Sequence, residues 1–180
     1  MRRQRAPGPT PTEATLREAA LAHLERHAAS SAMLARVLMN RVRRWVRAQG
    51  GEDAEATEEA AARARDAIPG IVAALVAARA IDDTAFAESR ARRLARSGAS
   101  RRKIAAHLAA RGIAAGPPTD EFAAALAYAR RRRLPPFGAM ERIKALAALA
   151  RAGFPREVAE RVLQADRDEA EARLRAAHAE

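Results

Sequence analysis

Apolar side chains return every three or four positions along this chain, and polar or glycine-rich punctuation separates them at helical lengths. Leu16, Ala20 and Leu24 share one face of a helix predicted over about 14–29. Leu34, Leu38, Val42, Trp45 and Val46 form the stripe of a second, capped by Ser30 or Ser31 and ended by Gln49-Gly50-Gly51. An acidic, alanine-rich stretch, 52–66, leads to Pro69, where a helix must kink or restart before the apolar face of Ile71, Val72, Leu75 and Val76. After the loop Gly116-Pro117-Pro118, Thr119 or Asp120 caps a helix that ends in a run of four arginines, with Pro135-Pro136 as its stop. Two further helices cover about 138–152 and Pro155 onward, the last trailing into a charged tail.

The stretch between Ala80 and Ile113 is the best punctuated. Asp82 at an N-cap accepts from free backbone amides, and Asp83 in the first turn faces the positive end of the helix dipole. Ile81 and Phe86 then stand at the spacing of a hydrophobic staple. Ser100 opens the next helix, with Ile104 and Leu108 on its apolar face. Gly112 fits the left-handed position after that helix, pairing Leu108 with Ile113 in a Schellman stop. Such grammar by itself describes any antiparallel helix pair.

The punctuation recurs. Leu149, Gly153 and Phe154 repeat the arrangement of Leu108, Gly112 and Ile113, and Ser30, Leu34 and Leu38 repeat the spacing of Ser100, Ile104 and Leu108. Three related helix clusters follow, each too small for a large core, so the expected fold is all-α, an elongated tandem array of three-helix repeats. The expected divisions are a disordered basic and proline-rich head (1–13), repeat 1 (14–79, with the acidic insert 52–66), repeat 2 (80–126), repeat 3 (127–166) and a charged tail (167–180).

Composition narrows the chemistry. Of 180 residues, 49% are hydrophobic, and most of those are alanine, so the cores are thin. No cysteine is present, which removes disulfides, thiolate metal sites and a cysteine nucleophile. Neither a signal peptide nor a membrane span of roughly 18 apolar residues appears, and a cytoplasmic protein is expected. The net charge of +11 is unevenly spread: +7 over 1–50, −6 over 51–88, +13 over 89–156 and −3 over 157–180. Two basic blocks of this size attract a polyanion, nucleic acid above all, although GC-rich coding also enriches alanine and arginine without functional cause.

Catalysis finds little support. His23 and His27 stand at i, i+4 but lack a zincin glutamate and a third ligand, and Asp82 and Asp83 are accounted for by capping. No phosphate loop, serine elbow or carboxylate cluster is evident. The expectation is a protein without catalytic residues, metal or cofactor.

The block Ile81-Asp82-Asp83 with Phe86-Ala87, the segment Ser100-Arg101-Arg102-Lys103-Ile104 through Leu108, Arg111-Gly112-Ile113, and Arg151-Ala152-Gly153-Phe154 together resemble the RecX regulators of the RecA recombinase. The resemblance spans about Leu16 to Leu163. One position departs from the family pattern: Arg79 stands where a glycine is usual, so either an arginine adopts the left-handed conformation at roughly 1 kcal/mol or the turn is built differently. The resemblance implies a stack of three-helix repeats that binds in the groove of the RecA–DNA filament and restrains its recombinase and co-protease activities. It thus implies a place in DNA repair, homologous recombination and the SOS response. The implied partners are the RecA filament and single-stranded DNA, with double-stranded DNA as a second candidate, the protein acting as a monomer and away from membranes.

Contact residues are expected on the central helices. Arg92 and Arg96 share a face with Arg93 adjacent, and Phe86, Ala87, Ala91 and Leu94 form the expected buried stripe. Arg101, Arg102 and Lys103 occupy the first turn of the next helix, where cations oppose the dipole, which favours a functional reading. Arg130, Arg131, Arg132 and Arg133 end a helix, where cations are favourable anyway, so a structural role explains them equally well. Arg41, Arg43, Arg44 and Arg47 crowd around Trp45, a ring expected to cover core rather than to stack on a base. Two other readings share these arginines: a nonspecific nucleoid-type DNA-binding protein, and a helical scaffold whose basic face meets an acidic protein.

Overall fold

The computed structural model describes residues 8–50 and 53–179. Residues 1–7 of the expected basic head, and Gly51 and Glu52 at the start of the acidic stretch, lie outside the described residues. Among the described residues there are nine helices and no strand: α1 (Glu13–Leu24), α2 (Ser31–Ala48), α3 (Ala54–Ala77), α4 (Asp83–Arg96), α5 (Arg101–Ala109), α6 (Glu121–Arg132), α7 (Arg142–Ala152), α8 (Arg156–Gln164) and α9 (Arg167–Ala179). None is long and apolar enough to cross a membrane. Contacts divide the chain into two units, one through Phe86 and one from Ala87, with the division inside α4.

In the first unit, α1, α2 and α3 pack on one another around Leu16, Leu34, Leu38, Val42, Ile68 and Ile71. Thr12 and Thr15 open α1 by exchanging bonds between side chain and backbone amide, at 2.9 and 3.3 Å. The helix stops at Leu24, earlier than the apolar pattern implied. The amides of Arg26 and His27 both fold back on the His23 carbonyl, and the Arg26 Nε donates to the carbonyl of Ala22.

The helix does not restart at Pro69: α3 runs through it, and the acidic stretch is its first half. Pro69 itself is exposed, while its neighbours Ile68 and Ile71 are packed in the core. Tertiary burial thereby outweighs the ~3 kcal/mol helix penalty of proline. Trp45 packs against this core, as its helical spacing implied, with its indole N–H enclosed and without a hydrogen-bond partner.

In the second unit α6 is the central element. Its residues Glu121 to Ala129 are buried in an unbroken run, and α7, α8 and α9 pack around it. A helix covered on every side needs small side chains where neighbours come close, which is what Ala123, Ala124, Ala125, Ala127 and Ala129 supply. Asp120, rather than Thr119, caps it, accepting from the Ala123 amide at 2.9 Å. Its stop is Arg133 in the left-handed region (φ 53°), with the Leu134 amide bonded to the Ala129 carbonyl, so Pro135-Pro136 follow a helix that has already ended.

The expected boundary between repeats at 126/127 falls inside α6. The expected tail is also structured. Residues 167–179 form α9, with Ala170 and Leu174 buried in the core and Arg173 paired to Asp120. Its high charge hid a narrow apolar face that is enough to dock it.

Candidate nucleic-acid interface

The signature residues build the scaffold that presents the cations. Asp82 accepts from the Ala85 amide at 2.8 Å, as expected of an N-cap. Asp83 does more than face the dipole: its carboxylate takes the amide (2.7 Å) and the hydroxyl (2.5 Å) of Ser31, the first residue of α2. Ile81 is buried and Phe86 half-buried. Arg79 adopts the left-handed conformation (φ 56°), and the amides of Ala80 and Ile81 both bond the Leu75 carbonyl, so the arginine takes the glycine's backbone role.

Both expected Schellman stops are present. Ile113 bonds back to Leu108 at 3.1 Å past Gly112, and Phe154 to Leu149 at 3.2 Å past Gly153. Ile104 and Leu108 are buried on α5. Ser100 opens α5 through its backbone, but its buried hydroxyl donates to the carbonyl of Ala152 at 2.9 Å instead of capping. A side chain at Gly153 would come within 2.8 Å of that hydroxyl, forcing a shift, and would crowd the Arg102 Nε at 3.1 Å, so space as well as a φ of 91° favours the glycine.

The three consecutive cations of α5 have three different surroundings. Arg101 is committed internally: its amide and its Nε each meet a carboxylate oxygen of Glu121 at 3.0 Å, and Glu121 is 8% exposed. Arg102 lies over Gly153. Lys103 reaches a hollow described below. All three are exposed, and Arg101 in addition helps to hold the fold.

On α4, Ala87 and Ala91 are buried while Arg92, Arg93 and Arg96 are exposed; Phe86 and Leu94, the other two of the expected stripe, are half-buried. Arg92 makes only a 3.7 Å contact with Glu88, both side chains well exposed, a pair worth little. Arg92 and Arg96 stand beside a cleft of about 470 Å³, floored by Ala91, Ala95 and Ala124 and closed by the segment 117–120 and α9. On the same unit His107 is held below its ordinary pKa by burial first and then by Arg111 and Arg90, and its Nε2 is enclosed without a hydrogen-bond partner. A neutral imidazole is thus favoured in this cationic surrounding.

Arg130, Arg131, Arg132 and Arg133 are all exposed, and they part company too. The guanidinium carbons of Arg131 and Arg132 lie 5.8 and 5.9 Å from the ring centre of Tyr128, within reach of cation–π attraction. Arg133 forms the helix stop. Arg132 alone of the four joins Lys103 in lining a hollow of about 600 Å³, together with two cations of α7 not expected as contacts, Lys144 and Arg151, the latter quoted only as part of the family signature. Neither belongs to a run of consecutive cations. Their spacing of seven residues, two helical turns on one face, was the available signal.

Comparison with known proteins bears on these residues as a set. The family model described as RecX, second three-helix domain, matches residues 82–116, which hold α4 and α5. The chain is 36% identical over 167 residues to the regulatory protein RecX of Myxococcus xanthus (strain DK1622), covering 84% of this chain and 85% of that protein. It is also 36% identical over 104 residues to the regulatory protein RecX of Agrobacterium fabrum (strain C58 / ATCC 33970), covering 52% and 56%. No solved structure gives a significant match.

Proposed function

The chain belongs to the RecX family, and from that premise we propose that it binds the RecA–DNA filament and regulates, mainly by inhibition, its ATPase, strand-exchange and co-protease activities. The observation that carries this reading is the 36% identity to a regulatory protein RecX along most of both chains. It acts by binding rather than catalysis, as a monomer in the cytoplasm, through three-helix repeats that present separate cationic surfaces.

The exposed arginines of α4 and the lysine of α5 are the filament contacts in this reading. They are held on helices whose ends are fixed by Asp82, Asp83, Glu121 and Gly112, so their positions are set before any partner arrives, which lowers the ordering cost of binding. A filament groove lined by acidic protein and by phosphates offers complementary charge to such a surface.

Pull-down of the cognate RecA with and without single-stranded DNA tests the proposal. Capture that is strong only when the strand is present is the expected result. Capture of neither RecA nor filament contradicts it, and binding to duplex alone, steeply weakened by salt and indifferent to RecA, instead supports a nucleoid-type protein.

A further inference from the structure

We propose that the hollow lined by Lys103, Arg132, Lys144 and Arg151 is a single-stranded nucleic-acid site, in which these cations grip backbone phosphates while an unstacked base lies on Met140 and Ile143. The inference deepens the filament reading by naming the strand and the residues that hold it, and it is testable without RecA.

Charge is the first observation. Four cations from three different helices converge on one concavity: Lys103 from α5, Arg132 from α6, Lys144 and Arg151 from α7. Among the described residues only Lys144 of these four has an ion-pair partner, Glu141 at 3.0 Å, and both of those side chains are largely exposed, so the pair is easily exchanged. Apolar walls from Leu134, Ala148 and Ala152 lower the local dielectric and concentrate the field on whatever enters. An anionic ligand relieves the repulsion among these cations.

Shape is the second. The volume of about 600 Å³ lies within the roughly 300–1,000 Å³ usual for a small-ligand site, enough for a nucleotide and its neighbouring phosphate. A duplex is a wide convex cylinder whose phosphates rest on ridges. A single strand can turn a nucleotide into a concavity.

The third is apolar. Met140 lines the hollow at 40% exposure, and Ile143, next to Lys144 in sequence, is 72% exposed. An open apolar side chain in the hollow, with a second exposed one on the same helix as Lys144 and Arg151, suits a ligand that carries both phosphate and an apolar face. An unpaired base provides that face, whereas a duplex keeps its bases inside. The Tyr128 ring is not available for stacking: it is 9% exposed and occupied by Arg131 and Arg132. Base contact is therefore aliphatic, and little base preference is expected.

The test uses the full-length protein without RecA and a fluorescent oligothymidylate of roughly twelve nucleotides, within the span of a single-strand site. The strand should bind at least tenfold more tightly than a duplex of equal length. The double variant Lys144→Gln/Arg151→Gln should lose at least tenfold in affinity, with its log–log salt slope shallower by about 1.4, two phosphates at ~0.7 each. A variant with the same charge change elsewhere, Arg17→Gln/Arg63→Gln, should leave the slope unaltered. Met140→Ser/Ile143→Ser should weaken binding several-fold with the slope unchanged, and circular dichroism should report the same melting curve for all variants.

An unaltered slope in Lys144→Gln/Arg151→Gln overturns the proposal. So does duplex binding as tight as single-strand binding, or preferential binding of polyglutamate, which would make the hollow a protein contact. The filament reading fails separately. If that double variant loses the strand but still inhibits RecA, the hollow is right and inhibition rests on protein contacts; if strand binding is untouched while inhibition falls, the hollow is wrong and the filament reading survives.

Discussion

The two units solve the same local problem with different residues. In each, a helix opens at a buried serine, Ser30 for α2 and Ser100 for α5, and the amide of the next residue is bonded by a carboxylate from the first turn of a later helix. In the first unit the pair is Ser31 and Asp83, neutral against acidic and only half-buried. In the second it is Arg101 and Glu121, an ion pair in which the carboxylate is buried. The second unit thus draws one cation out of its basic surface to secure its own frame. Neighbouring like charges therefore need not act together. Among Arg101, Arg102 and Lys103, the first supports the fold, the second covers a glycine and the third faces the hollow.

The largest effect expected from that comparison is at Glu121. Replacing it with alanine strands the Arg101 amide and leaves the guanidinium without its partner, and about 2–3 kcal/mol of stability should be lost, less than for a wholly buried pair because Arg101 is 66% exposed. Asp83→Ala in the first unit should cost about 1 kcal/mol. Hydrogen exchange of the α5 and α2 amides reads the two separately, and equal losses would break the comparison.

Gly153→Ala ranks next, at about 1–2 kcal/mol by thermal unfolding, since the new methyl meets Ser100 and Arg102 in a left-handed backbone. Ser100→Ala should return part of that loss. Smaller still are the gains from Arg79→Gly and Arg133→Gly, one in each unit, each about 0.5–1 kcal/mol from removing a left-handed arginine. A loss at either position would show that its side chain contributes more than its backbone strain takes away.

The smallest concerns His107. Its folded pKa is lowered, so the stability tied to its neutral form is complete above the ordinary value of 6.5 and declines as pH falls below it. His107→Gln should flatten the melting temperature between about pH 7 and 5. A slope that persists unchanged would assign it to His23, lowered by burial, His27 and Arg26 in the first unit.

Much of the frame was legible because capping is local. Asp82, Gly112 and Gly153 announce their roles within five residues, and Arg79 kept the backbone role of a glycine without its flexibility. What escaped the sequence depends on distant partners. Pro69 reads as a break until Ile68 and Ile71 are seen in the core. α6 reads as an ordinary alanine-rich helix until three others cover it, and α9 reads as a tail until Leu174 docks. The hollow was invisible for the same reason: Lys103 and Arg132 lay within noticed runs, while Lys144 and Arg151 belong to no run and join them only when α5, α6 and α7 pack.

The most direct test of the filament reading is ATP turnover by a preassembled RecA filament on single-stranded DNA, measured with substoichiometric amounts of this protein and of its Arg92→Glu/Arg96→Glu/Lys103→Glu variant. The natural protein should slow turnover, and the variant, with helicity unchanged, should not. Turnover unaffected by saturating natural protein would contradict the reading.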